Sequence, residues 1–442
     1  MVLMTIPKTY HVKSFGCQMN VYDGERMSEL LGAEGMAATS EAEADLVVLN
    51  TCHIRERAVH RVYSEIGTLK REDGTRPMIA VAGCVAQAEG AEVSRRAREV
   101  DIVVGPQAYH RLPQLVARAA AGQRAIDTDM PTETKFSALP ARGSQRPSAF
   151  LTVQEGCDKF CTYCVVPYTR GSEVSRPFDA IIQEAKALIA GGAKEITLLG
   201  QNVNAWGDGA RGLHDIIAAL NKLPGLHRIR YTTSHPNDMQ QGLIDAHRDV
   251  EKLMPYLHLP VQSGSDPILK AMNRSHSRDS YLRLLDRVRV ARPDIALSGD
   301  FIVGFPGESD ADFDATLSLI AEVGYAQAYS FAYSARPGTP AATMDAQIPK
   351  DVMSARLQAL QAAINVQQHA FNVASVGTST QILLERRGKL ADQFIGKSPW
   401  LQSVHVVGDH FSIGDVVNVE LAAAGPNSLS GKPLMNPMMN AA

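Results

Sequence analysis

Three thiols fall within eight residues at Cys157-Asp158-Lys159-Phe160-Cys161-Thr162-Tyr163-Cys164, a C-x3-C-x2-C array. Thiolates at short, fixed spacing suit zinc or iron with sulfur rather than hard cations. A structural zinc site would need a fourth nearby Cys or His, and the next histidine is His214. Three thiolates can instead hold three corners of a cube-shaped 4Fe-4S cluster, leaving one iron without a protein ligand. A surface loop with chance cysteines fits poorly with a chain of only six cysteines. A zinc knuckle borrowing a distant ligand stays open.

The other three cysteines each follow an apolar run. Cys17 comes after Tyr10–Phe15, Cys52 after Asp45–Asn50 and Cys84 after Met78–Gly83, with a further run at Asp101–Gly105 and amphipathic stretches between them. Such alternation predicts a doubly wound parallel sheet. The carboxyl ends of its strands share one edge, where ligands sit. Three successive turns would then deliver three thiols to that edge, enough for a second cluster with an open iron. Any one of them alone reads better as a small buried hydrophobe, and it is their repetition at one topological point that favours a ligand set. His53 beside Cys52 reads as a capping or surface residue.

The elements behind these thiols come from a chain of 442 residues, which should split into two or three domains. Its net charge of -3 gives no general basic excess, so any nucleic-acid footprint must be local. No apolar run is long enough to span a bilayer, and Met1 to Tyr10 lacks a secretory pattern, so a cytoplasmic protein is expected. In that setting cysteines serve metals or catalysis more than disulfides.

The expected division is an amino-terminal domain over 8–127, a linker over 128–148 rich in Pro, Ser, Thr, Ala and Arg, a core over 149–374 and a last domain over 375–438. In the core, strands near Phe150–Gln154, Glu195–Gly200, Arg228–Thr233, Leu257–Pro260, Ile295–Val303 and Gln327–Tyr333 alternate with helices. Six such repeats suit a partial barrel, with its chemistry at the strand carboxyl ends. Turns at those ends carry Gly200, Gln201 and Asn202, then Gln262 and Ser263, then Gly304, and outline a pocket for a ribose, an adenine and an amino-acid moiety. His235-Pro236 reads as structural. A long helix near Lys350–Phe371 leads to short strands at Thr380–Leu384, Gln393–Gly396, Gln402–Val407 and Asp415–Glu420, which predict a small antiparallel barrel. Arg386, Arg387, Lys389, Lys397 and Trp400 would give it a basic and aromatic face for RNA, or simply a solvated one. From Asn436 the tail is expected to be disordered.

Gly156 before the first cysteine of the array and Tyr163 before the last resemble the radical S-adenosylmethionine (SAM) signature. Further stretches are Gly16-Cys17-Gln18-Met19-Asn20, Asn50-Thr51-Cys52, Gly83-Cys84-Val85-Ala86-Gln87, Val165-Val166-Pro167-Tyr168-Thr169-Arg170-Gly171 and Leu257-His258-Leu259-Pro260-Val261-Gln262-Ser263-Gly264-Ser265. From about Tyr10 to Lys432 the chain resembles the radical SAM methylthiotransferases, and Gln18-Met19-Asn20 favours the branch acting on isopentenyladenosine in tRNA. The stretch Gly396–Val404 departs from the more polar one in many relatives.

The resemblance implies an α/β amino-terminal domain, a radical SAM core and a carboxyl-terminal TRAM barrel that binds RNA. It implies two 4Fe-4S clusters. The Cys157, Cys161 and Cys164 cluster would reduce SAM, with Tyr163 near the adenine, to give a 5′-deoxyadenosyl radical. The Cys17, Cys52 and Cys84 cluster would hold the sulfur. The product would be a methylthio group on carbon 2 of N(6)-isopentenyladenosine at position 37 of a tRNA anticodon loop. A small electron-donor protein such as flavodoxin or ferredoxin is the expected partner, the membrane is not, and the chain is expected to be a monomer. A ribosomal aspartate or threonylcarbamoyladenosine is the alternative substrate, and a non-catalytic iron-sulfur RNA-binding protein the alternative class.

Overall fold

The computed structural model describes residues 6–53, 56–71, 74–130, 135–143 and 146–434. Met1–Thr5, parts of the expected linker and the tail read as disordered lie outside them. No helix among the described residues is long and apolar enough to cross a membrane.

The first unit contains β1 (Thr9–Ser14), α1 (Gln18–Ala33), β2 (Ala37–Ala38), β3 (Leu46–Thr51), α2 (Glu56–Thr68), β4 (Met78–Gly83), α3 (Cys84–Glu89), α4 (Ala91–Arg96), β5 (Ile102–Val104), α5 (Leu112–Ala120) and β6 (Ala125–Asp127). The strands form one parallel sheet in the order β2-β1-β3-β4-β5-β6. β3 and β4 are buried at every position, as strands covered on both faces must be. One face packs Val48, Ala80 and Val104 against Met27 and Leu31 of α1 and Leu115 of α5. The other packs Val47, Leu49 and Val81 against Val62 of α2, Ala86 of α3 and Val93 of α4. The sheet is therefore doubly wound, and two edge strands, β2 and β6, add to the four expected.

The central unit follows with β7 (Ser148–Thr152), β8 (Gln154–Glu155), α6 (Val166–Arg170), β9 (Val174–Ser175), α7 (Phe178–Ala190), β10 (Glu195–Leu199), α8 (Leu213–Asn221), β11 (Arg228–Tyr231), α9 (Gln241–Asp249), β12 (Tyr256–His258), α10 (Asp266–Ala271), α11 (Arg278–Ala291), β13 (Ala296–Val303), α12 (Asp310–Val323) and β14 (Gln327–Ala332). Two parallel sheets, β11-β10-β7 and β12-β13-β14, meet where Ile229 bridges Leu253, which makes the six-stranded partial barrel. Leu151, Leu198, Ile229, Leu257, Leu297 and Phe301 share one core. The antiparallel pair β8–β9 clamps the two ends of the segment that holds the cysteine array and α6.

α13 (Lys350–Ala374) leads to β15 (Ser379–Arg387), β16 (Gln393–Lys397), β17 (Ser403–Val407), β18 (Val416–Ala424) and β19 (Leu429–Pro433), a closed barrel. Its docking corrects part of the expected RNA face. Arg228 donates to the carbonyls of Lys397 and Gln381, at 2.7 and 2.6 Å. Arg230 donates to those of Pro399 and Ser398 at 2.8 Å each while paired with Glu195 at 3.0 Å. Trp400 donates to the Asp294 carbonyl at 2.9 Å and packs beside Tyr256 and Ala296. Lys397 and Trp400 thus belong to the seam between barrel and core, whereas Arg386, Arg387 and Lys389 are exposed.

Candidate active site

All six cysteines are free thiols. The core array begins where β8 ends. Gly156 sits at φ +74°, and an added Cβ would overlap the Ser172 carbonyl oxygen, so only glycine lets the chain turn out of the strand there. The Cys157 amide donates to the Gly171 carbonyl at 3.2 Å and that of Cys164 to the Cys161 carbonyl at 2.9 Å. Thr162 ties the loop to the end of α10, donating to the carbonyls of Met272 and Ala271. Arg274 donates to Cys161 Sγ at 3.7 Å and to the Pro260 carbonyl at 2.5 Å. Burial pushes Cys157 up to about 11 and Cys164 to about 12. Such thiols stay protonated at neutral pH unless bound metal displaces the proton. Tyr163 packs beside Phe305, Met272 and Tyr333.

The strand-end turns assemble around a residue that sequence reasoning missed. Gln154 Oε1 accepts from the amides of Gln201 and Asn202, at 2.9 and 3.1 Å, and its Nε2 donates to the Gly156 carbonyl at 2.8 Å. Gln201 Oε1 accepts from the Gly156 amide at 2.6 Å. Glycine at position 200 leaves room for Gln154, whose Oε1 would lie 2.6 Å from a Cβ. Asn202 donates to Asp238 at 2.8 Å, while its Oδ1 is buried with no hydrogen-bond partner, an acceptor suited to a ligand's donor. Gln262 joins the strand-end backbone with Asp300 and Ile302. The Ser263 hydroxyl is committed to Thr316 of α12 at 3.3 Å, and the Gly304 amide to Glu308 at 2.7 Å.

The other thiols line the carboxyl edge of the first sheet. Cys17 caps α1, Cys52 follows β3 and Cys84 opens α3. Gly16 and Gly83 precede two of them at φ +112° and +88°, and an added Cβ on Gly16 would overlap that of Cys52. The Cys52 thiol, hydrogen-bonded to Cys17, together with the Arg170 guanidinium holds Cys17 down to about 6 against the opposing effect of burial. Cys17 donates to Asn20 at 3.4 Å, and Asn50 ties the two turns by donating to the Asn20 carbonyl at 2.6 Å. His53 is buried, at 7% exposure, which sets aside the surface half of the capping-or-surface expectation. Met19 and Tyr22 of α1 form one buried cluster with Leu199, directly before Gly200, and Cys17 and Phe150 pack against it, so the first sheet's edge adjoins the core's strand ends.

These donors fit iron-sulfur clusters: each set is all thiol, is held by backbone turns and has an arginine beside it. Among the described residues no three His, Cys, Asp or Glu side chains gather as ligands of one ion. Arg274 and Gln154 carry no local spacing signal, and nothing within Val165–Gly171 marks Arg170 for a role at the site.

A parallel barrel carrying this array defines a radical SAM enzyme. Residues 151–320 match the Radical SAM superfamily and residues 9–105 the family described as Uncharacterized protein family UPF0004. Among curated proteins, tRNA-2-methylthio-N(6)-dimethylallyladenosine synthase of Sphingopyxis alaskensis is 69% identical over 97% of this chain and 98% of its own length. The protein of that name from Novosphingobium aromaticivorans is 67% identical over 96% and 97%. The chain belongs to the tRNA-2-methylthio-N(6)-dimethylallyladenosine synthase family. Among solved structures, the radical SAM methyltransferase TsrM of Kitasatospora setae shares the fold with a TM-score of 0.55 at 14% identity, over 76% of each chain. The cobalamin-dependent radical enzyme OxsB does so with a TM-score of 0.53 at 11% identity, over 81% of this chain and 56% of its own.

Proposed function

We propose that this protein methylthiolates carbon 2 of N(6)-isopentenyladenosine at position 37 of tRNA, in the cytoplasm and as a monomer. The observation that carries the reading is the pair of all-thiol sites on adjoining sheet edges, in a chain that matches proteins named for this product over nearly its whole length. Carbon 2 bears an unactivated C–H bond, which acid–base groups do not break at useful rates. When bound, two 4Fe-4S clusters supply what the side chains lack: an electron for reductive cleavage of SAM, and the sulfur.

Cys157, Cys161 and Cys164 would hold the cluster that serves SAM, and Cys17, Cys52 and Cys84 the other. Tyr163, Gly200, Gln201, Asn202, Gln262, Ser263 and Gly304 form the SAM pocket, with Asn202 Oδ1 as its free acceptor and Gln154 fixing the turn. The anticodon loop offers an unpaired base, which lowers the cost of bringing it in. A small protein such as flavodoxin or ferredoxin donates the electron. Nucleoside analysis of tRNA from cells lacking the protein tests the reading: 2-methylthio-N(6)-isopentenyladenosine should vanish and N(6)-isopentenyladenosine accumulate. Unchanged nucleosides, or loss of methylthiolated threonylcarbamoyladenosine instead, would overturn it.

A further inference from the structure

Four charged side chains lie buried together between the first sheet and the core, and none is a thiol ligand. Asp23 of α1, Lys135, Glu155 of β8 and Arg170 of α6 expose 1%, 1%, 3% and 4% of their surface. Arg170 Nη2 meets Asp23 Oδ2 at 2.6 Å and Nη1 meets Glu155 Oε1 at 3.4 Å. Lys135 Nζ lies 2.8 Å from Glu155 Oε1, 3.7 Å from Asp23 Oδ1 and 2.8 Å from the Pro106 carbonyl it donates to. Two cations and two carboxylates balance. Buried ion pairs are nevertheless often no more stabilising than apolar side chains of the same volume, so stability gives a poor account of four charges here.

Position gives a better one. α6 begins two residues after Cys164, α1 directly after Cys17, and α3 at Cys84. Arg170 touches all three neighbourhoods. Its carbonyl accepts from Gln107 of the first unit at 2.9 Å, and the next carbonyl, of Gly171, accepts from the Cys157 amide at 3.2 Å. Its guanidinium grips α1 through Asp23 and lies within electrostatic reach of Cys17 and Cys84. Arg170 is thus joined through the adjacent Gly171 to the core thiol loop, by its own carbonyl to the first unit, and by side chain to the helix that Cys17 caps.

We propose that Arg170, with Asp23 and Glu155, is a positioning residue that fixes the span between the two thiol sites. The planar fork matters as much as the charge, since a point cation cannot hold two carboxylates in one orientation. The inference rests on the two-cluster reading above.

The test uses the reconstituted full-length protein and the variants Arg170→Gln, Arg170→Lys and Asp23→Asn. Iron per chain, 5′-deoxyadenosine, methylthiolated tRNA and the magnetic interaction between the two reduced clusters by electron paramagnetic resonance are read on each preparation. Arg170→Gln should keep iron at both sites and go on cleaving SAM. The ratio of 5′-deoxyadenosine to methylthio product should rise on the order of 10²-fold, the scale of a misplacement of about 1 Å. The inter-cluster magnetic interaction should change, and Arg170→Lys should fall between wild type and Gln. An unchanged ratio and interaction in iron-replete Arg170→Gln would overturn the proposal. Should that variant lose iron, Asp23→Asn, which leaves every backbone contact of Arg170 in place, is decisive in the same way. Wild-type protein that forms no methylthio product would refute the substrate reading, while the resonance measurement would still decide the role of Arg170.

Discussion

Replacing Gly156 by alanine should empty the core thiol site while the remainder of the protein stays folded. A side chain at φ +74° costs about 1–2 kcal/mol. The methyl would overlap the Ser172 carbonyl oxygen and lie 2.6 Å from that of Gly171, and neither is a flexible side chain that could rotate away. Relief requires residues 171 and 172 to move. That breaks the hydrogen bond from the Cys157 amide to Gly171, worth about 1 kcal/mol, and overpacking adds about 1–3 kcal/mol. The total of about 3–6 kcal/mol corresponds to a shift of about 10²-fold or more against the ligating loop conformation. Iron per chain after anaerobic reconstitution should fall by about four, one cluster's worth, and 5′-deoxyadenosine formation by about 10²-fold. Gly35→Ala is the control: it has φ +83° with no atom within 4 Å of an added Cβ, so it carries the conformational cost alone and should keep both sites loaded. Wild-type iron and SAM cleavage in Gly156→Ala would show that the turn before Cys157 tolerates a side chain.

The exposed trio Arg386, Arg387 and Lys389 should contact RNA phosphates, with Arg387 stacked over Phe394 at 4.1 Å. Changing all three to Ala should weaken tRNA binding and reduce the magnitude of the salt slope by about 2; an unchanged slope would return them to plain surface. His247, held down to about 3 by burial with Arg292 nearby, meets the Tyr231 hydroxyl at 2.6 Å. Its folded pKa lies below the unfolded value of about 6.5, so the unfolded chain takes the proton first. Its contribution is whole above about pH 6.5 and is lost as pH falls toward 3, by up to about 1.4 kcal/mol per pH unit. Urea unfolding of His247→Gln should therefore show a shallower loss of stability between about pH 6.5 and 5, and a wild-type slope would contradict this.

Much of the molecule could be read from the chain because its strongest signals are local. The fully apolar runs Leu46–Leu49 and Met78–Ala82 announce buried parallel strands, and Cys17, Cys52, Cys84 and Cys157 stand shortly after strand ends. Short strands without an apolar pattern were harder to see. Ala125–Asp127 has no apolar run, and Leu429–Pro433, with Gly431, Lys432 and Pro433, lacks alternation; it is a strand because it pairs with both β17 and β18 and closes the barrel. Trp400 and Lys397 resembled an RNA face by composition, yet Trp400 is fixed by a carbonyl 106 residues away. The cluster of Asp23, Lys135, Glu155 and Arg170 is invisible for the same reason: its members are scattered from α1 to α6 and have meaning only once the two sheets meet.

Cys52→Ala tests most directly the claim that the two thiol sites do different work in one reaction. Cys52 is 2% exposed, and alanine is nearly its size, so the fold should survive. On one reconstituted preparation, iron, 5′-deoxyadenosine and methylthiolated tRNA are measured together. Cys52→Ala should lose about one cluster's iron, go on cleaving SAM reductively and form no methylthio product. Wild-type iron with full product would contradict that claim.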